Sequence, residues 1–574
     1  MAARPQVVQR RLFLHVGLLL MFLGLGASWM RLDVPWVGDE GAYALQVRNL
    51  QQGGWEYDYA GKTVDERGSW FPIMATSGFR TTSGTRYFAY VKHPAYPWAQ
   101  YQLTRVFGDH LALYLLPLAG TLLAAVAAWL LTAEINPRWS ATAFWLTASG
   151  PLLVNAYVMW AHAPSAALAG FLTLAAVRIG RRGLRFSSLA LFGVPLVLGI
   201  LLRSEFQLFG GAIVLGLAWM LLRQVETPWH RRMVHLGALS IPLIAILMTR
   251  KLEFWIIGKI VGTGVAEDGI REGAGAFSYW PGRLPGAWHL LLEGSAGGGL
   301  SDLLLYFALF SAGMAGLALR FRSRRGTMAV VLAATAVLIA VWIRFDERPL
   351  ESAGGLLVAW PILATAGLAI RWKESSRTEQ ALGVTIAVFL ATILATQYSI
   401  AGGLEWGARF LSPLMPLVAV LMAAGFHRLL DARPRIDKAI LVPTLGLISL
   451  VPSLAGARLL HDHKKTKAPL IEAIASTDTP LIVITTTLLN ELPREAWRLN
   501  PNVRWIVAPS GDADLVLKRL YEGGFDKVGV IQTRKSSWAQ RSPYQRSTDV
   551  TFPIIAGAGL EMLVLESPEQ APAG

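Results

Sequence analysis

Two adjacent carboxylates, Asp39 and Glu40, follow the first apolar segment of the chain, residues 12–30. They stand where a membrane-spanning helix would emerge into water, and ionisable groups at that boundary are costly unless they are used. Residues 41–45 are typical of a helix rather than of a charged tail. Two interpretations stay open at this point: a functional carboxylate pair, or a solvated pair at a helix end.

The two acids lie near the start of a long polar loop, residues 31–110, that is rich in Trp and Tyr. Aromatic rings with a polar edge suit both an interfacial helix and the stacking of a sugar ring. The composition of the loop leaves both roles open, an interfacial helix and a sugar-binding surface.

The composition places most of the chain in a bilayer. Of its 574 residues, 53% are hydrophobic and only 16% are charged, which is too apolar for a soluble protein of this length. The net charge of +15 comes from Lys and Arg in short gaps between apolar runs, a pattern of membrane topology rather than of nucleic-acid binding. The absence of Cys excludes disulfides and thiolate chemistry.

Apolar runs of suitable length, residues 140–153 and 356–370 among them, predict about 13 transmembrane helices. Every alternate loop is basic when the N-terminus is placed in the cytoplasm. This orientation puts the loop 31–110 and the C-terminal tail outside the cytoplasm. We expect an all-α polytopic domain over residues 1–457.

The tail, residues 458–574, alternates short β-rich runs with helix-like stretches, and the β-rich runs are 481–486, 503–508, 527–532 and 561–565. This pattern predicts a small extracytoplasmic α/β domain with a mostly parallel sheet. His461-Asp462-His463 at its start is either a metal site or a solvated linker, because spacing places no further ligand beside it.

Four motifs carry a resemblance to a known family. Gly38-Asp39-Glu40-x-x-Tyr43 resembles the acidic motif of the GT-C glycosyltransferase superfamily, in the branch of bacterial aminoarabinose transferase and the protein O-mannosyltransferases. The other three are Lys92-His93-Pro94-Ala95-Tyr96, Leu202-Arg203-Ser204-Glu205-Phe206 and the Gly-rich stretch that runs through Glu405, Trp406 and Arg409. Each motif alone is a weak signal, and the resemblance rests on their order, their spacing and their shared side of the membrane. It covers roughly residues 1–454.

The resemblance implies transfer of a sugar from a polyprenyl-phosphate donor to a hydroxyl acceptor outside the cytoplasm. By that analogy Asp39 is the general base, Glu40 orients it or the acceptor, and direct displacement inverts the anomeric centre. The leaving phosphate needs cations, for which Arg409, Lys92 and Arg203 are candidates. The substrate-binding residues implied by the motifs are Tyr43, Lys92, His93, His162, Arg203, Glu205, Glu405, Trp406 and Arg409.

Structural roles for the same residues stay open. Arg409 could pair with Glu405, Arg203 could pair with Glu205, and His93 beside a proline could be structural. The enzymes that the motifs resemble often carry a second acid near the position of His162, where this sequence offers a histidine and no carboxylate. The sequence therefore commits to no metal, leaves a divalent cation possible, and leaves His162 open as a proton relay or a phosphate ligand.

The alternative function is a polytopic transporter or flippase for a lipid-linked sugar. Transporters usually place ionisable residues within their spans and show inverted repeats, whereas here the acids lie in outer loops and no repeat is apparent. A glycan ligase and a receptor were weaker alternatives. We expect membrane lipids, the lipid-linked donor and a lipid, polysaccharide or protein acceptor as partners, no nucleic acid, and a location in a bacterial inner membrane.

Overall fold

The computed structural model of the chain describes most of its residues. They are 5–57, 59, 64–65, 70, 78–81, 84–183, 186–223, 233, 236–262, 283–292, 300–319, 324–347, 355–370, 372–396, 406–485, 492, 503–508, 511–533, 543–551 and 560–568.

The chain folds as two compact units that do not follow its linear order. Unit 1 comprises Met1–Met30, Tyr114–Glu253 and Glu272–Leu460. Unit 2 comprises Arg31–Leu113, Phe254–Arg271 and His461–Gly574. The first loop and the tail, which lie far apart in sequence, therefore belong to one unit.

Helices dominate the described residues. In chain order they are α1 Pro5–Trp29, α2 Gly38–Gln51, α3 Ala95–Phe107, α4 Asp109–Ile135, α5 Ser140–Ala148, α6 Leu152–Asn155, α7 His162–Arg182, α8 Phe186–Leu202, α9 Glu205–Leu222, α10 Ser240–Val261, α11 Arg283–Leu291, α12 Leu300–Ala318, α13 Arg324–Glu347, α14 Leu356–Ala359, α15 Ile362–Ala369, α16 Arg377–Thr396, α17 Met415–Asp431, α18 Arg435–Ser476 and α19 Ala513–Glu522. Short 3-10 turns cover Pro137–Trp139, Trp372–Glu374 and Arg409–Leu414.

Eight helices among the described residues are long and apolar enough to cross a membrane. They are α1, α4, α7, α9, α13, α16, α18 and the continuous stretch Arg409–Asp431 that includes α17. Two shorter apolar stretches, Ser187–Leu202 and Leu303–Ala318, bring the number to ten. The chain is a multi-pass membrane protein, as expected, and the larger count of about 13 spans stays a prediction.

Two of the predicted spans are broken at prolines. The span 140–153 divides into α5 and α6 at Pro151, and the span 356–370 divides into α14 and α15 at Pro361. Proline lacks the N–H that a helix interior needs and its ring clashes with the preceding turn. Non-helical backbone within a membrane domain is tolerated where protein buries it or where it lines a cavity, and Trp360 at the second break is fully buried.

Unit 2 contains a mixed five-stranded sheet. Its strands are β3 Leu481–Ile484, β4 Arg504–Val507, β5 Lys527–Thr533, β6 Gln545–Thr551 and β7 Leu560–Glu566, in the spatial order β4-β3-β5-β7-β6. The pairings of β3 with β4 and β5 are parallel, and those of β7 with β5 and β6 are antiparallel. The prediction of a mostly parallel sheet was wrong for half of the pairings, because the final strand returns as a hairpin partner of β6 and inserts beside β5. A separate two-stranded ribbon joins β1 Gly78–Thr81 to β2 Gly84–Tyr87.

The first loop and the sheet share one hydrophobic core within unit 2. Trp70 lies in that core, its backbone C=O accepts from the N–H of Val507 in β4 at 3.0 Å, and its indole donates to Asp512 at 3.3 Å. The guanidinium of Arg519 in α19 lies 5.4 Å from the Trp70 ring centroid and donates to the C=O of Val64 at 2.9 Å. The tail thus supports the loop that carries the acidic motif.

Candidate active site

The acidic motif forms the first turn of α2. Val37 precedes the helix in an extended conformation (φ −132°, ψ 161°) and Asp39 and Glu40 occupy the first turn. The exposed N–H groups of a first helical turn favour negative charge, so the sequence Gly-Asp-Glu suits a helix start. Asp39 is partly exposed, whereas Glu40 is buried. The two neighbouring carboxylates therefore occupy different environments.

Glu40 is held by charged and polar partners inside unit 2. Its Oε2 accepts from the backbone N–H of Trp36 at 2.5 Å, and its Oε1 lies 4.0 Å from Nζ of Lys464 in α18. Both side chains are 0% exposed. A carboxylate that is buried in this way needs such partners, because desolvating a charge costs far more than burying an apolar group.

The turn before α2 is bound to α18 at further points. Nζ of Lys467 donates to the backbone C=O of Trp36 at 2.7 Å. The guanidinium of Arg31 lies 2.7 Å from both Asp33 and Glu472. Its hydrogen bonds hold the pKa of the Asp33 carboxyl below its usual range.

Tyrosine rings join the first two sequence motifs. The Tyr43 hydroxyl of α2 donates to the Tyr90 hydroxyl at 3.2 Å, with ring centroids 4.4 Å apart. The ring of Tyr96 in α3 meets Tyr43 edge-on at 4.9 Å. His93 is buried with its ring 6.5 Å from Tyr90, while Lys92 is exposed. The structure thus brings Tyr43, His93 and Tyr96 into one aromatic cluster.

A second cluster lies in unit 1 and is built around Arg409. Its guanidinium carbon is 4.9 Å from the Trp160 ring centroid and 5.3 Å from that of Phe410. His162 begins α7, is buried, and meets Trp160 edge-on at 5.3 Å and Phe410 edge-on at 6.5 Å. Aromatic rings at these distances attract a guanidinium, and an Arg side chain can bind a carboxylate or phosphate through two parallel hydrogen bonds.

Arg203 and Glu205 form an ion pair in this unit. Nε and Nη2 of Arg203 donate to the two carboxylate oxygens of Glu205 at 3.1 and 2.5 Å. Their side chains are 11% and 5% exposed, and the Arg203 guanidinium carbon lies 5.8 Å from the Phe410 ring centroid. The same ring therefore contacts both arginines.

A strained turn precedes Arg409. Gly407 and Ala408 have φ values of +74° and +54°, and Ala408 is the one non-glycine residue with positive φ among those described. A Cβ at position 407 would lie 2.3 Å from Cβ of Pro151 at the break between α5 and α6. Trp406 is buried, and an added Cβ at Gly456 would lie 2.4 Å from its ring. Strain that persists at an observed outlier is a pointer to function.

Three further sequence predictions concern Glu405, residues 461–463 and a divalent cation. Glu405 lies outside the described residues, so its pairing with Arg409 stays a prediction. The residues 461–463 lie on α18, where successive side chains do not face one another. Within the described part of the chain, no three His, Asp or Glu side chains are grouped as a metal site would need.

Sequence reasoning missed several members of these clusters. Trp36, Lys464 and Lys467 belong to the acidic site, and Trp160 and Phe410 surround Arg409. The only available signal for the lysines was a basic run directly after an apolar span, a pattern that usually marks a solvated face.

Solved structures supply the comparison with known proteins. No protein-family model and no curated protein matches the chain. ArnT from Cupriavidus metallidurans bound to undecaprenyl phosphate is similar with a TM-score of 0.55 and 12% identity, over 96% of this chain and 97% of ArnT. Its apo state gives a TM-score of 0.51 at 12% identity, over 95% and 98% of the two chains.

A weaker likeness, with a TM-score of 0.43 and 13% identity, is to the oligosaccharyltransferase AglB from Archaeoglobus fulgidus in complex with an inhibitory peptide and a dolichol-phosphate, over 90% of this chain and 69% of AglB. ArnT, an aminoarabinose transferase, and AglB are both GT-C membrane glycosyltransferases. The similarity to ArnT confirms the structural resemblance that the sequence motifs predicted, and this chain has the ArnT fold over nearly its whole length.

The turn before Arg409 generates a prediction from a matched pair of substitutions. Gly407→Ala should destabilise the folded protein by about 2 kcal/mol or more, because a left-handed backbone and a Cβ clash coincide there. The free energy of unfolding of Ala408→Gly should stay within about 1 kcal/mol of the wild-type value. Relief of the backbone strain at this position offsets the greater flexibility of glycine in the unfolded chain. Thermal unfolding in detergent measures both, and a Gly407→Ala protein that melts like wild type would contradict the assigned turn.

Proposed function

We propose that this chain is a glycosyltransferase that moves a sugar from a polyprenyl-phosphate donor to a hydroxyl acceptor. Its fold, shared with ArnT over 96% of the chain, supports this class of enzyme and donor. The observation that carries the proposal is the division of the acidic motif into a partly exposed Asp39 and a buried, clamped Glu40.

Asp39 is the general base in this proposal. Its carboxylate takes the proton of the acceptor hydroxyl while the acceptor oxygen forms a bond to the anomeric carbon. The bond from that carbon to the phosphate oxygen breaks, and polyprenyl phosphate leaves with the electron pair. One displacement of this kind inverts the anomeric centre and needs no covalent sugar–enzyme intermediate.

Arg409 is the main ligand of the leaving phosphate in this proposal, with Arg203, His162 and Lys92 as further candidates. The contacts of Arg409 with the Trp160 and Phe410 rings and the strained turn before it support the choice. Glu205 orients Arg203 through their bidentate pair. Tyr43, His93, Trp406 and Glu405 complete the proposed substrate-binding set.

The proposal keeps the membrane orientation and the domain boundaries expected from the sequence. The alternation of basic loops supports a cytoplasmic N-terminus and about 13 spans. The membrane domain is residues 1–457 and the extracytoplasmic domain is residues 458–574. A bacterial inner membrane is the proposed location, and a lipid, polysaccharide or protein is the acceptor.

Transfer and transport can be separated in one experiment. Wild-type protein in liposomes is given a panel of radiolabelled polyprenyl-phosphate sugars, and sugar release from the lipid is measured beside movement of the lipid across the bilayer. Release or transfer of sugar with formation of polyprenyl phosphate is the expected result. Movement of intact donor without any cleavage would overturn the proposal in favour of a transporter.

Arg409 gives a binding prediction that needs no knowledge of the sugar. Arg409→Ala should weaken binding of undecaprenyl phosphate about 10- to 100-fold, since a hydrogen bond to a charged group contributes about 1.5–3 kcal/mol. The affinity of Arg409→Lys for undecaprenyl phosphate should lie between those of wild type and Arg409→Ala. Lysine keeps the positive charge and loses the two-pronged geometry of the guanidinium. Arg138, exposed on the turn Pro137–Trp139, provides the control Arg138→Ala, which should bind as wild type. Equal binding by Arg409→Ala would remove Arg409 from the phosphate site.

A further inference from the structure

The lysines on α18 occupy unequal environments. Lys464 is 0% exposed and Lys467 is half-buried, while Lys465 between them is exposed. Leu460, Lys464, Ala468 and Ile471 are all buried on this helix, and their spacing of three to four residues places them along one stripe. Lys464 thus stands at a position of the apolar stripe where a leucine would be expected.

A buried ammonium is destabilising unless an opposite charge or polar groups compensate it. Lys464 lies 4.0 Å from the Glu40 carboxylate, and the same carboxylate accepts from the N–H of Trp36. Replacing such a pair by apolar side chains is often neutral or stabilising. Stability alone is therefore a weak reason for a lysine at this position.

Contacts from Glu40 and from Lys467 meet at the backbone of Trp36. The N–H of Trp36 is bound by Glu40, whose carboxylate faces Lys464, and the C=O of Trp36 is bound by Lys467 at 2.7 Å. Trp36 comes three residues before Asp39. Both hydrogen-bonding groups of its backbone are thus held by side chains with a formal charge, and this restricts the backbone that leads into α2.

We propose that Lys464 and Lys467 are positioning residues that hold the turn Trp36–Glu40 and so set the place of the Asp39 carboxylate. The contacts of these two lysines with Glu40 and with the Trp36 carbonyl are called the clamp. The inference rests on the proposed function, in which Asp39 accepts the proton of the acceptor. A misplacement of about 1 Å in a reacting group can cost about 10²-fold in rate, so the clamp acts on kcat. Neither lysine touches substrate in this assignment.

The test uses Lys464→Met and Lys467→Met, with Lys465→Met as the matched control on the same helix. Both test variants should lower kcat about 10- to 100-fold per folded enzyme, with the donor KM unchanged, and the control should leave both constants unchanged. A purely structural role would lower the amount of folded protein and leave kcat unchanged in the part that folds, and that result would overturn the inference.

A double variant guards against loss of folding. Lys464→Met alone leaves the Glu40 carboxylate buried beside an apolar group, so it should melt well below wild type. Glu40→Gln with Lys464→Met removes both charges and keeps an oxygen for the Trp36 N–H, so it should recover most of the melting temperature. No recovery in the double variant would show that the two charges are not coupled and would overturn the pairing.

Hydrogen exchange tests the clamp without any sugar. Lys464→Met and Lys467→Met should each raise exchange at least about tenfold in the peptide that spans residues 36–43, and leave β5 unchanged. Unchanged exchange at 36–43 would overturn the inference whether or not the protein transfers sugar. Absence of transfer by wild type, with raised exchange in the variants, would instead contradict the proposed function and leave the clamp standing.

Discussion

The cost of burying the Glu40 carboxylate is the constraint from which the acidic site is built. A charge with no exposure must find compensating partners, and Glu40 finds them in the N–H of Trp36 and the ammonium of Lys464. These partners come from the turn before α2 and from α18, which are separated by more than four hundred residues of sequence. One buried carboxylate thus couples the first loop of the chain to the helix that leads into the tail.

That coupling separates the roles of two chemically similar neighbours. Glu40 is fully enclosed, whereas Asp39 in the same helical turn is partly exposed. Side chains at successive positions of a helix point in different directions, so Glu40 can anchor the turn while the preceding acid, Asp39, stays partly exposed. The tyrosines of α2 and α3 and the insertion of Trp70 beside β4 add rigid apolar support to the same unit. In the proposed function, the base Asp39 is therefore held on a rigid scaffold and is preorganised for the reaction.

Much of this architecture could be predicted from the sequence, and the reasons for the rest are physical. Apolar run length identified the helices that can span a membrane, and β-rich composition identified β3, β4, β5 and β7. The polar strand β6 carries no such signal, and its hairpin with β7 made the sheet mixed. The motifs make Asp39 and Arg409 candidate site residues, a prediction that stays untested. No local pattern predicts that Lys464 pairs with Glu40, because contacts at long sequence separation are set by packing. Arg203 and Glu205 form the ion pair that had been considered as a structural alternative.

The most direct test of the account is the single-turnover rate of sugar transfer by Asp39→Asn beside Asp109→Asn. Asp109 is an exposed carboxylate of the same unit that accepts from Gln51 at 2.7 Å, and an asparagine there keeps the acceptor oxygen. The account predicts a loss of about 10²–10⁴-fold for Asp39→Asn, the usual contribution of a general base, with donor binding retained and the control at the wild-type rate. Transfer by Asp39→Asn at the wild-type rate would contradict the account, because the acceptor proton would then have another destination.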